Sequence, residues 1–176
     1  WNLRTGECER ILSGHTAPVW SVALTPDGQR AVSGSGHLTA QAGQGHELRV
    51  WDLRGGKCEH TLYGHADAIW TVGITPDGRR AVSGGKDWTV RVWDLVAGRC
   101  ERTFTGHTAW VRAVAVTSNG SRAVSVGGDP QRTFFGNTED MTLRMWNLEE
   151  GKDVRVSTDH AGQVTAVAVT PDGRRA

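Results

Sequence analysis

The chain contains 176 residues, and its 20 Lys and Arg almost balance its 19 Asp and Glu, so the formal charge is only +1. This balance argues against a large phosphate-binding surface, while 22% charged and 38% hydrophobic residues are typical of a folded domain and not of a disordered tail. No apolar run approaches the roughly 18 to 20 residues that a membrane span requires, so we expect no membrane contact.

The first elements in chain order are short strands separated by turns. A polar stretch at 8–12 fits a strand, and alternating or β-branched residues predict three more at 19–24, 30–34 and 47–52. The Thr-Pro-Asp-Gly sequence at 25–28 predicts a tight turn, because Pro presets its own φ and Gly accepts a positive φ. No stretch has a helical period, so the predicted fold class is all-β.

The same elements recur along the chain in a constant phase. Pairs of Trp with Asp or Asn begin at Trp1, Trp51, Trp93 and Trp146, at intervals of 50, 42 and 53 residues. Gly-His pairs and Thr-Pro-Asp-Gly turns keep the same intervals, so the chain is a tandem repeat of a 42-residue unit. The first and third copies carry 8 and 11 extra residues, which fall within 35–46 and 128–138.

These marks resemble the WD-repeat family, in which each unit of about 40 to 45 residues forms a four-stranded blade of a β-propeller. The stretches Gly14–Gly34 and Leu48–Leu53 carry the resemblance, which covers essentially the whole chain. The Thr-Pro-Asp-Gly turns look most like the bacterial branch of the family. The resemblance implies a propeller segment of antiparallel blades within 1–176, with complete repeats at 16–65, 66–107 and 108–160 and partial ones at 1–15 and 161–176.

Three complete repeats are too few for a typical propeller ring, which closes with about four to eight blades. The simplest interpretation is a fragment of a longer propeller. The alternative is a crescent that associates with another copy through its open blade edges.

The resemblance also implies a buried network of four side chains in each repeat: a Trp indole meets a Ser hydroxyl, the Ser meets a His, and the His meets an Asp. Ser, His and Asp together also suggest nucleophilic catalysis, but a catalytic set occurs once, whereas this one recurs. We therefore predict structural networks and no catalytic residues. The predicted members are His15, Ser33 and Trp51; His65, Ser83, Asp87 and Trp93; His107, Ser125, Asp140 and Trp146; and His160 in the last, partial repeat.

The network of the first repeat is predicted to lack its carboxylate. The position six residues before Trp51 is Gly45, where the next two repeats have Asp87 and Asp140. We therefore expect the first blade to be the weaker one.

A partner surface is implied at the end of the blades that carries the Gly-His loops. In the family, the positions three and five after the His, and the position before the turn Asp, line this face. Here they are Pro18, Trp20, Ala68, Trp70, Lys86, Trp110, Arg112, Glu139, Gln163 and Thr165. Trp and Arg are the types most enriched at interface hot spots. The alternative is that the indoles pack between neighbouring blades near the channel.

The two insertions lie at the same end of the predicted blades. Adjacent exposed aromatics are costly unless something covers them, so Phe134 and Phe135 in the second insertion are also predicted to contact a partner. The first insertion is interpreted as a partner loop or, alternatively, as tolerated decoration.

The remaining features predict no metal, cofactor or nucleic-acid site. Spacing places each cysteine in a different sheet, which argues against disulfides and favours a reducing cytoplasm; these are Cys8, Cys58 and Cys100. Three histidines lack metal-ligand spacing and are interpreted as loop or surface residues; these are His37, His46 and His60. Basic residues are spread through the repeats, which favours a solvated face over nucleic-acid binding.

The pattern therefore favours a non-catalytic scaffold that binds a protein or peptide partner. Resemblance adds a sensory or regulatory role within a larger signalling protein. The alternative is a propeller enzyme or small-ligand binder that uses the central channel, which would require non-repeating acids or metal ligands at the axis.

Overall fold

A computed structural model describes residues 1–37, 45–128, 140–160 and 162–176. Within these ranges the chain is all-β, with twelve strands in three antiparallel four-stranded sheets. The first sheet contains β1 (Val19–Leu24), β2 (Arg30–Ser35), β3 (Glu47–Asp52) and β4 (Lys57–Tyr63). The second contains β5 (Ile69–Ile74), β6 (Arg80–Gly85), β7 (Val90–Asp94) and β8 (Arg99–Phe104). The third contains β9 (Val111–Val116), β10 (Arg122–Gly127), β11 (Leu143–Asn147) and β12 (Lys152–Ser157).

In each sheet the predicted Thr-Pro-Asp-Gly type of turn joins the first strand to the second. The Thr25 hydroxyl donates to Asp27 Oδ1 at 2.5 Å, and the same oxygen accepts the Gln29 N–H at 3.0 Å. Gly28 has φ +65°, which glycine adopts without steric cost. Because the side chains satisfy the turn backbone, β1 reverses directly into β2.

The Asp or Asn of each Trp-Asp pair organises the turn between the third and fourth strands. Asp52 accepts the N–H groups of Arg54 and Gly55, both at 2.9 Å. Asp94 and Asn147 accept the corresponding N–H groups in their own repeats. These side chains therefore cap a turn and lie outside the histidine networks.

The sheets pack face to face through their first two strands. Ile69 and Val72 on β5 lie in one core cluster with Val32 and Val50 of the preceding sheet. A Cβ added to Gly34 would lie 2.7 Å from Ile69 Cγ2, so glycine is needed for this close approach. The repeat interface therefore depends on apolar residues of an inner strand and a small residue facing it.

The strand predicted at 8–12 does not form. Residues 2–7 keep the turn, in which Asn2 accepts the N–H groups of Arg4 and Thr5, but the following residues pair with no strand. A strand requires a hydrogen-bonded neighbouring strand, and residues 8–12 have none among the residues that the structure describes.

The inner face of the first sheet is more exposed than its counterpart in the second. Val22 of β1 is 65% exposed, whereas Val72 at the same repeat position is 8% exposed because the first sheet covers it. Among the residues that the structure describes, no helix is long and apolar enough to cross a bilayer.

Candidate functional site

The second sheet contains a continuous hydrogen-bonded network of four side chains. Trp93 Nε1–H donates to Ser83 Oγ at 2.8 Å, and His65 Nε2 lies 2.7 Å from the same oxygen. His65 Nδ1 lies 2.9 Å from Asp87 Oδ2. Every donor in this network has an acceptor when Ser83 Oγ–H donates to His65 Nε2 and His65 Nδ1–H donates to the Asp87 carboxylate. This arrangement assigns the Nδ1–H tautomer to a neutral His65.

The third sheet repeats this geometry closely. Trp146 Nε1–H donates to Ser125 Oγ at 2.7 Å, and His107 bridges Ser125 and Asp140, at 2.7 Å from each. Thr108 N–H also donates to the Asp140 carboxylate at 2.8 Å, as Ala66 N–H does to its counterpart at 3.0 Å. The network therefore joins the Gly-His loop, the second strand, the turn and the third strand of one blade.

In the first sheet no carboxylate of the described residues is hydrogen-bonded to the histidine, as the glycine at position 45 predicted, although a different acid approaches it. His15 Nε2 lies 2.6 Å from Ser33 Oγ, and Glu47 Oε1 lies 3.5 Å from His15 Nδ1. That nitrogen is buried without a hydrogen-bond partner, because Glu47 binds Arg49 Nε instead, at 2.7 Å. Glu47 stands four residues before Trp51, where the other repeats have a threonine, and its longer side chain reaches the histidine.

Burial and hydrogen bonding set the charges in these networks. Burial alone would raise the pKa of the Asp87 carboxyl. Hydrogen bonds and electrostatic attraction to His65 outweigh burial and lower that pKa to about 2. Burial lowers the pKa of His65, against the opposing effect of Asp87. In the first sheet, burial and the Arg49 charge lower the pKa of His15, and Glu47 opposes them. At neutral pH an ionised acid therefore faces a neutral histidine in the second network.

The glycine before each histidine is required by the side chains that lie over it. A Cβ added to Gly64 would lie 2.7 Å from Arg91 Nη1 and 3.2 Å from the Trp93 ring. Gly64 also has φ +154°, a conformation that other residues rarely adopt. The Gly-His pair thus allows an arginine and the network indole to close over the loop.

These networks are closed to a substrate. Ser83 and Ser125 have no exposed surface, and the His65 and His107 side chains are also fully buried. A nucleophile must reach a reacting carbon, so the arrangement supports packing of the blade and not acyl transfer. His160, the predicted member in the last, partial repeat, is exposed.

A row of three indoles crosses the three sheets at the end that carries the Gly-His loops. The Trp20 and Trp70 ring centroids are 4.8 Å apart, and Trp70 stacks on Trp110 at 5.8 Å with an interplanar angle of 19°. Trp20 is 37% exposed and Trp110 is 7% exposed, so burial increases along the row. Trp110 is therefore buried, as the alternative of packing between blades predicted for the indoles, whereas the Trp20 ring is accessible to solvent.

Two cations lie on the faces of this row. Arg112 Cζ is 5.1 Å from the Trp70 ring centroid, and Lys86 Nζ is 5.2 Å from that of Trp110. Lys86 also forms an ion pair with Asp67 at 3.6 Å. We call the surface formed by Trp20, Trp70, Lys86, Trp110 and Arg112 the tryptophan face.

The other predicted partner residues divide into three groups. Pro18 and Thr165 are exposed, and Gln163 is partly buried beside Gly128. Ala68 is fully buried, because its Cβ packs against Gly36, so its prediction as a partner contact is wrong. Phe134, Phe135 and Glu139 lie outside the described residues.

Two residues have features that the sequence did not predict. His46 lies in the loop before β3, one of the two predicted settings, but it is 7% exposed and its Nδ1 is buried without a hydrogen-bond partner. Trp88 is 40% exposed and has φ +67°, the one positive φ among the described residues other than glycine. Its signal in the sequence was a Trp at the turn position directly after Asp87, where glycine would fit better.

The described residues contain no group of three His, Cys, Asp or Glu side chains arranged to hold a metal ion. The three cysteines are unpaired, and Cys58 Sγ lies 3.2 Å from the His60 carbonyl oxygen.

Comparisons with known proteins agree with this repeat architecture. The sequence matches the family described as WD domain, G-beta repeat, over residues 6–52, 56–94 and 98–147. The fold is similar to the structure of U3-55K (21% identity, TM-score 0.76) and to the crystal structure of RRP9 WD40 repeats (21%, 0.75). Each comparison covers 90% of this chain but only 45% and 44% of the respective solved chains. No curated protein matches the sequence.

Proposed function

The chain belongs to the WD40 repeat family, and on that premise we propose that it is a non-catalytic scaffold that binds a protein or peptide partner at the tryptophan face. The observation that carries the proposal is the exposed Trp20 ring at one end of an ordered aromatic row. A rigid, partly exposed indole provides a large contact area at little cost in conformational entropy.

The aromatic row supports binding because its neighbours already hold it in place. Trp20 Nε1–H donates to the Gly36 carbonyl oxygen at 2.7 Å, and the ring packs on Trp70. A partner therefore meets an ordered surface, and little ordering cost offsets the contacts that it makes.

Selection of peptides tests this proposal. A displayed random dodecapeptide library is panned on the immobilised 176-residue chain, and one selected peptide is synthesised. Trp20→Ala is expected to weaken its binding by about 30-fold, which corresponds to a hot spot of about 2 kcal/mol. Val96→Ala is the control, because Val96 is 63% exposed in the turn between β7 and β8, at the opposite end of the sheets. Equal binding by wild type and Trp20→Ala would contradict the proposal.

The rest of the proposal concerns the longer protein and its setting. Because the chain spans less than half of the similar solved chains, we propose a regulatory part of a larger signalling protein on the resemblance alone. The three unpaired cysteines support a cytoplasmic setting, where thiols stay reduced. Microscopy of the tagged full-length protein tests that setting.

A further inference from the structure

Arg112 faces an aromatic ring and no acid, unlike several other arginines of the described strands. Its guanidinium lies over Trp70, and among the described residues it forms no ion pair and no hydrogen bond. By contrast, Arg30, Arg80 and Arg144 each contact a carboxylate oxygen at 2.7 to 2.9 Å. Arg112 is also only partly buried, so a partner can reach it.

Stacking prepares this guanidinium for an anion. An indole beneath the planar group restricts its rotamers and leaves its N–H donors, which lie in the guanidinium plane, available at the edges. A carboxylate is the planar, bidentate acceptor that matches such a fork. The position five residues after the histidine is Trp in the first two repeats and Arg in the third. A cation therefore occupies the third-repeat position that corresponds to the first two indoles.

The charge balance of the tryptophan face favours the same partner chemistry. Two cations lie on this face, Lys86 and Arg112, and the Asp67 carboxylate lies 3.6 Å from Lys86 Nζ. Trp20 adds an exposed apolar ring to this cationic surface. A segment that carries an acidic side chain next to an apolar one would complement both features.

We propose that the partner segment is acidic: the carboxylate of an Asp or Glu side chain pairs with Arg112 while an apolar neighbour packs on Trp20. This inference rests on the proposed function, since it names the chemistry of the partner at the same face. It goes further by assigning Arg112 as the residue that selects between acidic and other segments.

The test uses the random dodecapeptide library on four versions of the 176-residue chain. These are the wild type, Arg112→Glu, Arg112→Lys and, as the control, Arg79→Glu. Arg79 is exposed in the turn between β5 and β6, at the opposite end of the sheets. Asp and Glu are expected to be enriched about twofold or more on the wild type and on Arg79→Glu, and not on Arg112→Glu. Arg112→Lys should keep only part of the enrichment, because it keeps the charge but loses the planar fork that binds a carboxylate through two donors.

A charge swap with one synthetic peptide completes the test. Arg112→Glu should weaken an acidic peptide by about tenfold or more, and replacing the peptide's critical acid by Lys should restore binding to that variant. Thermal midpoints show whether each variant is folded, and Arg112→Lys provides a milder change should Arg112→Glu unfold.

Each other outcome overturns the inference. If the peptides selected on the wild type are neutral or basic, the partner is not acidic. If acidic peptides are still enriched on Arg112→Glu, Arg112 is not the residue that selects them. Tighter Arg112-dependent binding of a phosphopeptide or a single-stranded oligonucleotide would assign phosphate instead of carboxylate. If no peptide is enriched on the wild type, the proposed function itself fails. If peptides bind through Trp20 without acids, the proposed function stands and only this inference falls.

Discussion

Replacing His65 by alanine should destabilise the second blade far more than the same change at His15 destabilises the first. His65 connects two polar groups, Ser83 and Asp87, by hydrogen bonds of 2.7 and 2.9 Å. His15 makes a hydrogen bond of this kind only to Ser33, because its Nδ1 has no hydrogen-bond partner. His65→Ala therefore removes hydrogen bonds to two buried groups, whereas His15→Ala removes a hydrogen bond to one.

The expected difference follows from those numbers. Each buried polar group that loses its hydrogen bond to the histidine costs about 1 to 3 kcal/mol, so His65→Ala should lower the free energy of unfolding by about 2 to 6 kcal/mol before any cavity cost. His15→Ala should cost about 1 to 3 kcal/mol, because Glu47 keeps its bond to Arg49. His107→Ala should resemble His65→Ala, since its network has the same bonds.

Native-state hydrogen exchange measures the two blades separately, which matters because repeat arrays open locally. Amides of β6 and β7 should exchange faster in His65→Ala, and those of β2 and β3 should change less in His15→Ala. Equal losses of protection in the two variants, or an unchanged second blade in His65→Ala, would refute the account of the network.

Three further predictions concern pH and backbone conformation. Because the folded pKa of His65 is lowered, the unfolded chain binds more protons below about pH 6.5, so stability is full above that pH and falls on acidification. Urea midpoints measured across pH should show this slope, and a His65→Gln variant with the same slope would contradict it. Gly45→Asp restores the acid of the other repeats, yet it should lower the urea midpoint. Gly45 has φ +79°, and an added Cβ would lie 2.7 Å from Ala17 Cβ; a higher midpoint would count against this. Since Trp88 has φ +67°, Trp88→Gly should be about 1 kcal/mol more stable than Trp88→Ala in urea unfolding. Met141 is the matched control, because it follows Asp140 as Trp88 follows Asp87 but has no positive φ. There Met141→Gly should be less stable than Met141→Ala, and the same order of the two variants at both positions would exclude backbone strain at Trp88.

The sequence by itself determined the repeat and most of its strands, because those features depend on local order. Alternating residues and Thr-Pro-Asp-Gly turns predicted strands at 19–24 and 47–52 with the bounds that β1 and β3 have, and 30–34 one residue short of β2. The constant phase of Gly-His and Trp-Asp pairs also identified which histidine, serine and tryptophan would stand in register. These distances along the chain become neighbours in space whenever four antiparallel strands form one sheet.

Only the tertiary structure decided how side chains share space between strands and between sheets. Spacing identified Gly45 as a missing acid, but the reach of a longer side chain, Glu47, brought a carboxylate to His15. The family resemblance placed Ala68 and Trp20 on one face, but the close approach of the sheets buries the alanine and leaves the indole accessible. The repeat period fixes a position in a blade, whereas burial and pairing depend on the length of each side chain and on what the neighbouring sheet places against it.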